Sequence, residues 1–270
     1  MTVSASASAS SAASAASAAP PLPGGAPGGP GQPGVLLVAH GTRSAEGTRT
    51  ARELADGLAA RLRRTVEVAY ADVRGPTVTE ALARHAGPVT LVPAFLASGY
   101  HVRADIPAQV RRAGAAGVLT APALGADRAL LPALADRLAA SGVREGDSVL
   151  LAAAGSSDPE ARAEAHTMAG LLGRVLHRPV PVAWAATAEP SVAATVARLR
   201  AAGARRVAVA TWLLAPGVFA DRLAASGADT VAAPLAAHPS VLEALARRVT
   251  EAERAASGSP HAVSGAGRAA

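Results

Sequence analysis

Val35-Leu-Leu-Val-Ala-His-Gly-Thr42 is followed, 114 positions on, by Val149-Leu-Leu-Ala-Ala-Ala-Gly-Ser156. Each is a short apolar run ending on a small residue and a glycine, the pattern of a buried strand that enters a tight turn. The spacing extends outward from this pair. Pro76-Thr-Val matches Pro190-Ser-Val, and Tyr70 matches Trp184. Phe95-Leu matches Trp212-Leu at a spacing of 117, and Asp105 pairs with Asp221 at 116. A repeat of this length is a duplicated domain rather than a solenoid unit.

Within the first copy, strands are expected at Val35–Ala39, Val66–Ala71, Val89–Ala94 and Gly117–Thr120. Helices are expected between and after them, at Glu46–Leu62, Thr77–Arg84, Ala104–Ala113 and Arg128–Ala140. Strand and helix in alternation argue for a parallel sheet covered on both faces. The expected fold class is therefore α/β, with two tandem doubly wound domains. Each has a four-stranded parallel sheet flanked by helices, and the strand order is taken as 2-1-3-4. The N-terminal domain is placed at 34–143 and the C-terminal one at 144–256, with the boundary near the Gly-containing link Ser141–Gly146. Residues 1–33, rich in Ser, Ala, Pro and Gly, read as a disordered tail, because they cannot bury enough apolar surface to offset their ordering entropy. Residues 257–270 read as a second tail.

Composition narrows the function. Half of the 270 residues are hydrophobic and 2% are aromatic, so the core is built from Ala, Val and Leu. There is no Cys, which excludes disulfides and thiolate metal sites and leaves a metal to His, Asp or Glu. The net charge of +6, carried entirely by Arg on the basic side, attracts an anionic substrate. No basic helix, aromatic strand motif or zinc spacing points to nucleic acid. No apolar run is long enough to cross a membrane and no signal peptide is apparent, so a cytoplasmic protein without a membrane partner is expected.

The duplication also filters residues. Gly41 and Gly155 recur, as do Pro76 and Pro190. They are read as backbone requirements, for a tight strand-to-helix turn and for a helix starting on its proline. Polar residues differ. His40 faces Ala154 in the comparison, Asp72 faces Ala186 and His101 faces Val218. A lone His at a strand end is ordinarily structural. Two at the carboxyl ends of neighbouring strands, both lost in the duplicate, point to one active site in the N-terminal half, at the switch point of the sheet. Asp105, paired with Asp221, is read as structural near a helix start. His85, His166, His177, His238 and His261 are taken as surface residues.

Val38-Ala-His40-Gly-Thr-Arg43 and Val92-Pro-Ala-Phe-Leu-Ala-Ser-Gly-Tyr-His101-Val-Arg-Ala-Asp-Ile-Pro107 resemble the motifs of the sirohydrochlorin chelatases, the class II chelatases of sirohaem and cobalamin synthesis. Val66–Pro76 resembles their second strand, where the family usually carries Glu in place of Asp72. The resemblance spans about residues 35 to 256. It implies a lyase without an organic cofactor, in which His40 and His101 face each other across a cleft. The substrates it implies are sirohydrochlorin, an acidic tetrapyrrole, and a divalent metal, Co²⁺ or Fe²⁺. Neutral imidazole suits this chemistry, since it binds the ion and accepts the pyrrole protons near neutral pH.

His40 and His101 are the expected metal ligands and catalytic residues, with Asp72 to orient a His or take up a proton. Arg43 and Arg103 are candidates for the substrate carboxylates, and Ser98, Gly99 and Tyr100 complete the expected substrate site. The second copy is expected to supply the other wall of the cleft, making a monomeric internal pseudo-dimer. Three rivals compete with this reading. A histidine phosphatase also has His-Gly after its first strand but carries Arg where this chain has Ala39. A non-catalytic tetrapyrrole or metal carrier would retain its cargo on the same fold. An interaction module leaves the single-copy polar residues unexplained.

Overall fold

A computed structural model describes residues 32–258. The tails assigned to 1–33 and 257–270 lie outside the described residues, except at 32–33 and at 257–258, where the last helix continues. The first copy runs β1 (Gly34–Ala39), α1 (Ala45–Leu62), β2 (Val66–Tyr70), α2 (Val78–Leu82), β3 (Val89–Pro93), α3 (Ile106–Ala113), β4 (Val118–Thr120) and α4 (Leu131–Ala140). The second runs β5 (Ser148–Ala153), α5 (Pro159–Leu176), β6 (Val182–Trp184), α6 (Val192–Ala201), β7 (Val207–Trp212), α7 (Val218–Ala224), β8 (Thr230–Val231) and α8 (Pro239–Gly258).

Each copy forms its own four-stranded parallel sheet, in the orders β2-β1-β3-β4 and β6-β5-β7-β8. The expected α/β class, strand count and order all hold. Side-chain alternation along the strands explains the layering. On β1, Leu36 and Val38 join Val78, Leu82, Leu91 and Ile106 in an outer core under α2 and α3. Val35 and Leu37 point the other way, into a core that reaches across both copies. The second sheet has the matching outer core under α6 and α7, with Leu150, Val196, Val207 and Leu223.

The shared core reveals an exchange that the repeat alone does not show. α8 belongs to the second copy by sequence, yet it packs on α1, β3 and β4 of the first. α4, from the first copy, packs on β7 and α5 of the second. Each sheet therefore has one face covered by a helix of the other half, and the inner face of β1 shares its core with fully buried Val241, Leu245 and Val249 of α8.

The helix starts follow local chemistry. Ser44 caps α1 by accepting the Gly47 N–H, and Asp158 caps α5 by accepting that of Glu160. The reading of Pro76 and Pro190 as first helical residues is corrected here. Thr77 and Glu80 form a capping box and Ser191 caps α6, so the helices start at Val78 and Val192 and each proline precedes the cap.

Candidate active site

β1 and β3 are neighbours, so their carboxyl ends bring two loops together. His40 directly follows β1. Gly41 then turns the chain at φ +100°, and a Cβ there would lie 2.0 Å from the Asp72 carbonyl oxygen. Gly155 repeats this at φ +105°, with a Cβ 1.8 Å from the Ala186 carbonyl oxygen. The glycines are thus backbone requirements, as the duplication suggests.

His101 opens a single π-helical turn, His101–Asp105, in which the Ile106 N–H reaches the His101 carbonyl. π turns are rare and concentrate at functional sites. The structure brings His40 and His101 together, with ring centroids 4.6 Å apart and planes at 76°. Phe95 packs beside both at 6.1 Å, and Tyr100 flanks His101 at 5.6 Å. His40 Nδ1 lies 3.2 Å from the Gly41 carbonyl oxygen. A carbonyl only accepts, so Nδ1 carries the proton and the Nε2 lone pair is left free.

Both rings line a cavity of about 830 Å³ between the two halves. Arg43, Gly99 and Tyr100 line it from the first copy; Trp184, Trp212 and Phe219 line it from the second. Five large apolar side chains are exposed among the described residues, and four of them, Val73, Tyr100, Val218 and Phe219, sit on this cavity. Such a rim favours a flat, largely apolar body. The guanidinium of Arg43 is exposed and makes no hydrogen bond or ion pair among the described residues. No group of three or more His, Cys, Asp and Glu able to hold a metal occurs among the described residues.

Three expected site residues are placed differently. The Asp72 side chain is exposed, does not line the cavity, and accepts the Val73 N–H at 2.7 Å. Its main chain does the local work, since its N–H bonds the His40 carbonyl at 2.9 Å. Among the described residues the carboxylate's hydrogen bond is to its own turn, through Oδ1, and none joins it to either histidine.

Arg103 also lies off the cavity lining. It bonds the Ser98 carbonyl at 2.6 Å and pairs with Glu160 and Asp158 of the second copy. The hydrogen bond to Glu160 is the first cause of its raised pKa. Ser98 is held likewise, its N–H donating to Glu164 of α5 at 2.8 Å. Arg103 and Ser98 therefore tie the His101 loop to the opposite half, where a substrate arm was expected.

Asp105 also reaches the histidines, through His101. Helix α7 and the π turn start 117 positions apart, at Val218 and His101, and the first fully buried side chains after those starts, Leu223 in α7 and Ile106 at the head of α3, keep that spacing. The counterpart of Asp105 is then Arg222 rather than Asp221. Asp105 is special to the first copy, and its Oδ2 lies 2.9 Å from His101 Nδ1. Following burial instead of the nearest matching letter would have found it.

Comparison with known proteins agrees with this architecture. No curated protein sequence matches. Among solved structures, SirB from Bacillus subtilis with Fe³⁺ is 22% identical with a TM-score of 0.70, covering 84% of this chain and 98% of that one. The sirohydrochlorin chelatase SirB from Bacillus subtilis subspecies spizizenii, in complex with cobalt, is 21% identical with a TM-score of 0.69 and the same coverage. CbiX, described as the terminal enzyme for biosynthesis of siroheme in denitrifying bacteria, is 22% identical with a TM-score of 0.62, covering 81% and 99%. These likenesses establish the fold. The CbiX family model matches the sequence twice, at residues 34–141 and 148–252. Matched over well more than half its length, the chain belongs to the CbiX family, the sirohydrochlorin chelatases whose motifs its first half carries, and it bears the family unit twice.

Proposed function

We propose that the protein inserts Co²⁺ or Fe²⁺ into sirohydrochlorin with release of two protons, using His40 and His101. The observation that carries this reading is the histidine pair itself, 4.6 Å between centroids and lining a cavity shared by both halves. Two imidazoles are too few for a closed structural site, and an incomplete ligand set suits an ion that must be handed on. The same nitrogens, once free of metal, are the proton acceptors nearest to the bound macrocycle.

The remaining lining supports a tetrapyrrole. A volume of about 830 Å³ falls within the range of roughly 300–1,000 Å³ typical of ligand pockets. Trp184, Trp212 and Phe219, from the second half, offer apolar lining to the ring system. Arg43 has a free guanidinium for a peripheral carboxylate, and Gly99 and Tyr100 border the same space. In this division of labour the segment 34–143 is the catalytic half and 144–256 a degenerate half that supplies the second wall. The fourth helices cross between them.

Anaerobic mixing of the protein with sirohydrochlorin and either metal, followed by the macrocycle's absorbance, tests the proposal. Acceleration over the protein-free rate is expected, with its loss in the His40→Ala/His101→Ala variant. Binding of macrocycle or metal without acceleration would replace the enzyme by a carrier.

A further inference from the structure

His101 is the end of a hydrogen-bonded chain that starts at the first backbone N–H of α2, and every link has a fixed direction. Gln109 is 6% exposed and lies one turn beyond Asp105. Its Oε1 accepts the Val78 N–H at 3.0 Å, and a backbone N–H only donates. That settles which side of the amide is which. The Nε2 group then donates to the Ala71 carbonyl at 2.8 Å and to Asp105 Oδ1 at 3.1 Å. With Oδ1 so engaged, Oδ2 faces His101 Nδ1 at 2.9 Å, and a carboxylate only accepts. His101 must place its proton on Nδ1.

From this we infer that Asp105 and Gln109 are positioning residues that lock His101 in the Nδ1–H tautomer and present the bare Nε2 to the cavity. The inference rests on the site assigned under the proposed function and adds what sets its chemistry. The duplicate supports it independently. At the spacing kept by burial, His101, Asp105 and Gln109 become Val218, Arg222 and Ser226. All three members are lost together, as expected of groups that act as a unit. Ser226 is left with a buried hydroxyl that has no partner among the described residues. A carboxylate kept only to start a helix would have had no reason to disappear with the His and the Gln.

Asp105→Asn separates this role from simple structural pairing. The two groups are nearly identical in shape, so a structural role predicts that Asn is milder than Ala. A tautomer lock predicts the reverse. Gln109 will claim the Asn oxygen, the Asn amino group will point at His101, and the proton must move to Nε2, where it blocks the lone pair. Asp105→Ala leaves the ring free to take either form.

The full chain, labelled with ¹⁵N-histidine and free of metal, would be examined by two-bond ¹H–¹⁵N correlation at about pH 8.5, well above the ordinary imidazole pKa. Co²⁺ affinity would be titrated in parallel. We expect an unprotonated Nε2 in the wild type and a protonated Nε2 in Asp105→Asn. Loss of a partner of this kind lowers metal affinity by about 10–100-fold, and we expect the order wild type, Ala, Asn. A wild-type ring protonated on Nε2 would overturn the inference even if neither variant folds, as would an Asn variant that binds Co²⁺ better than the Ala variant. The ring spectrum needs neither macrocycle nor turnover, so a failed chelatase assay would leave this result standing by itself.

Discussion

The two equivalent glycines allow one perturbation to be applied twice in the same molecule. Gly41→Ala and Gly155→Ala introduce the same methyl group at nearly the same φ, +100° and +105°, against the same kind of atom, a carbonyl oxygen 2.0 and 1.8 Å from the new Cβ. A non-glycine residue held in so sparsely populated a region costs about 1–3 kcal/mol. Contacts shorter than 3.0 Å are not sustained, so in each case the two loops must separate by about 1 Å. Both variants should therefore lose similar stability in urea unfolding, by at least the strain term.

Their effects on turnover should differ. Opening the Gly41 turn displaces His40, which is joined to Asp72 by the 2.9 Å backbone bond that the methyl would push apart. A misplacement of about 1 Å in a reacting group costs on the order of 10²-fold in rate. Opening the Gly155 turn displaces Ala154 and the adjoining Ser156 and Ser157 of the cavity wall, where the second copy has no imidazole. Chelation rates per folded molecule, with the folded fraction taken from the same urea curves, should fall on the order of 10²-fold for Gly41→Ala and little for Gly155→Ala. Equal rate losses in the two variants would refute the assignment of the chemistry to the first half.

Four further outcomes can be checked. Leu245→Ala, on α8 of the second copy, should cost about 2–5 kcal/mol and lower hydrogen-exchange protection at the β1 and β3 amides of the first copy. Arg43→Ala should raise KM for the macrocycle about 10–100-fold with kcat nearly unchanged, because a charged hydrogen bond of about 1.5–3 kcal/mol is lost in ground and transition states alike. Arg103→Ala should leave that KM within a few-fold of wild type, and steady-state kinetics of the two variants decide which Arg faces substrate. Asp229 is held below the ordinary carboxyl range, first by the Val207 N–H and next by Arg200. Its stabilising contribution is complete above the unfolded value of about 3.9 and is lost as pH falls through the lower folded value. Asp229→Asn should accordingly flatten the acid limb of stability measured by thermal melting.

The fold was readable because its signals are short and repeated. Val35–Val38 and Val149–Ala152 alternate between two buried faces, and the loops that follow carry the same glycine. Comparing the copies also selected His40 and His101, which the structure puts side by side. What stayed hidden depends on direction and distance. A sequence gives the presence of a carboxylate at Asp72 but not that its own turn consumes it. The charge at Arg103 is legible, but its partners Asp158 and Glu160 lie more than fifty residues away in sequence. The Asp105–Asp221 match rested on a shared letter, whereas the buried positions Ile106 and Leu223 carry the true register. The crossing of α4 and α8 was also not legible, since both sheets offer similar inner faces of Val, Leu and Ala and either amphipathic helix would satisfy either one.

That crossing orders events on the ribosome. Chains fold largely as they emerge, N-terminal parts first. When β5 to β7 leave the exit tunnel, α4 has already been made and waits to cover them. The first sheet has no such provision, because the helix that completes the cover of its inner face is residues 239–258, the last helix among the described residues. The half that bears His40 and His101 is translated first and completed last. Until then α1 is the helix that packs beside Val35 and Leu37, and a nascent chain truncated before α8 would leave the β3 and β4 side of that face uncovered.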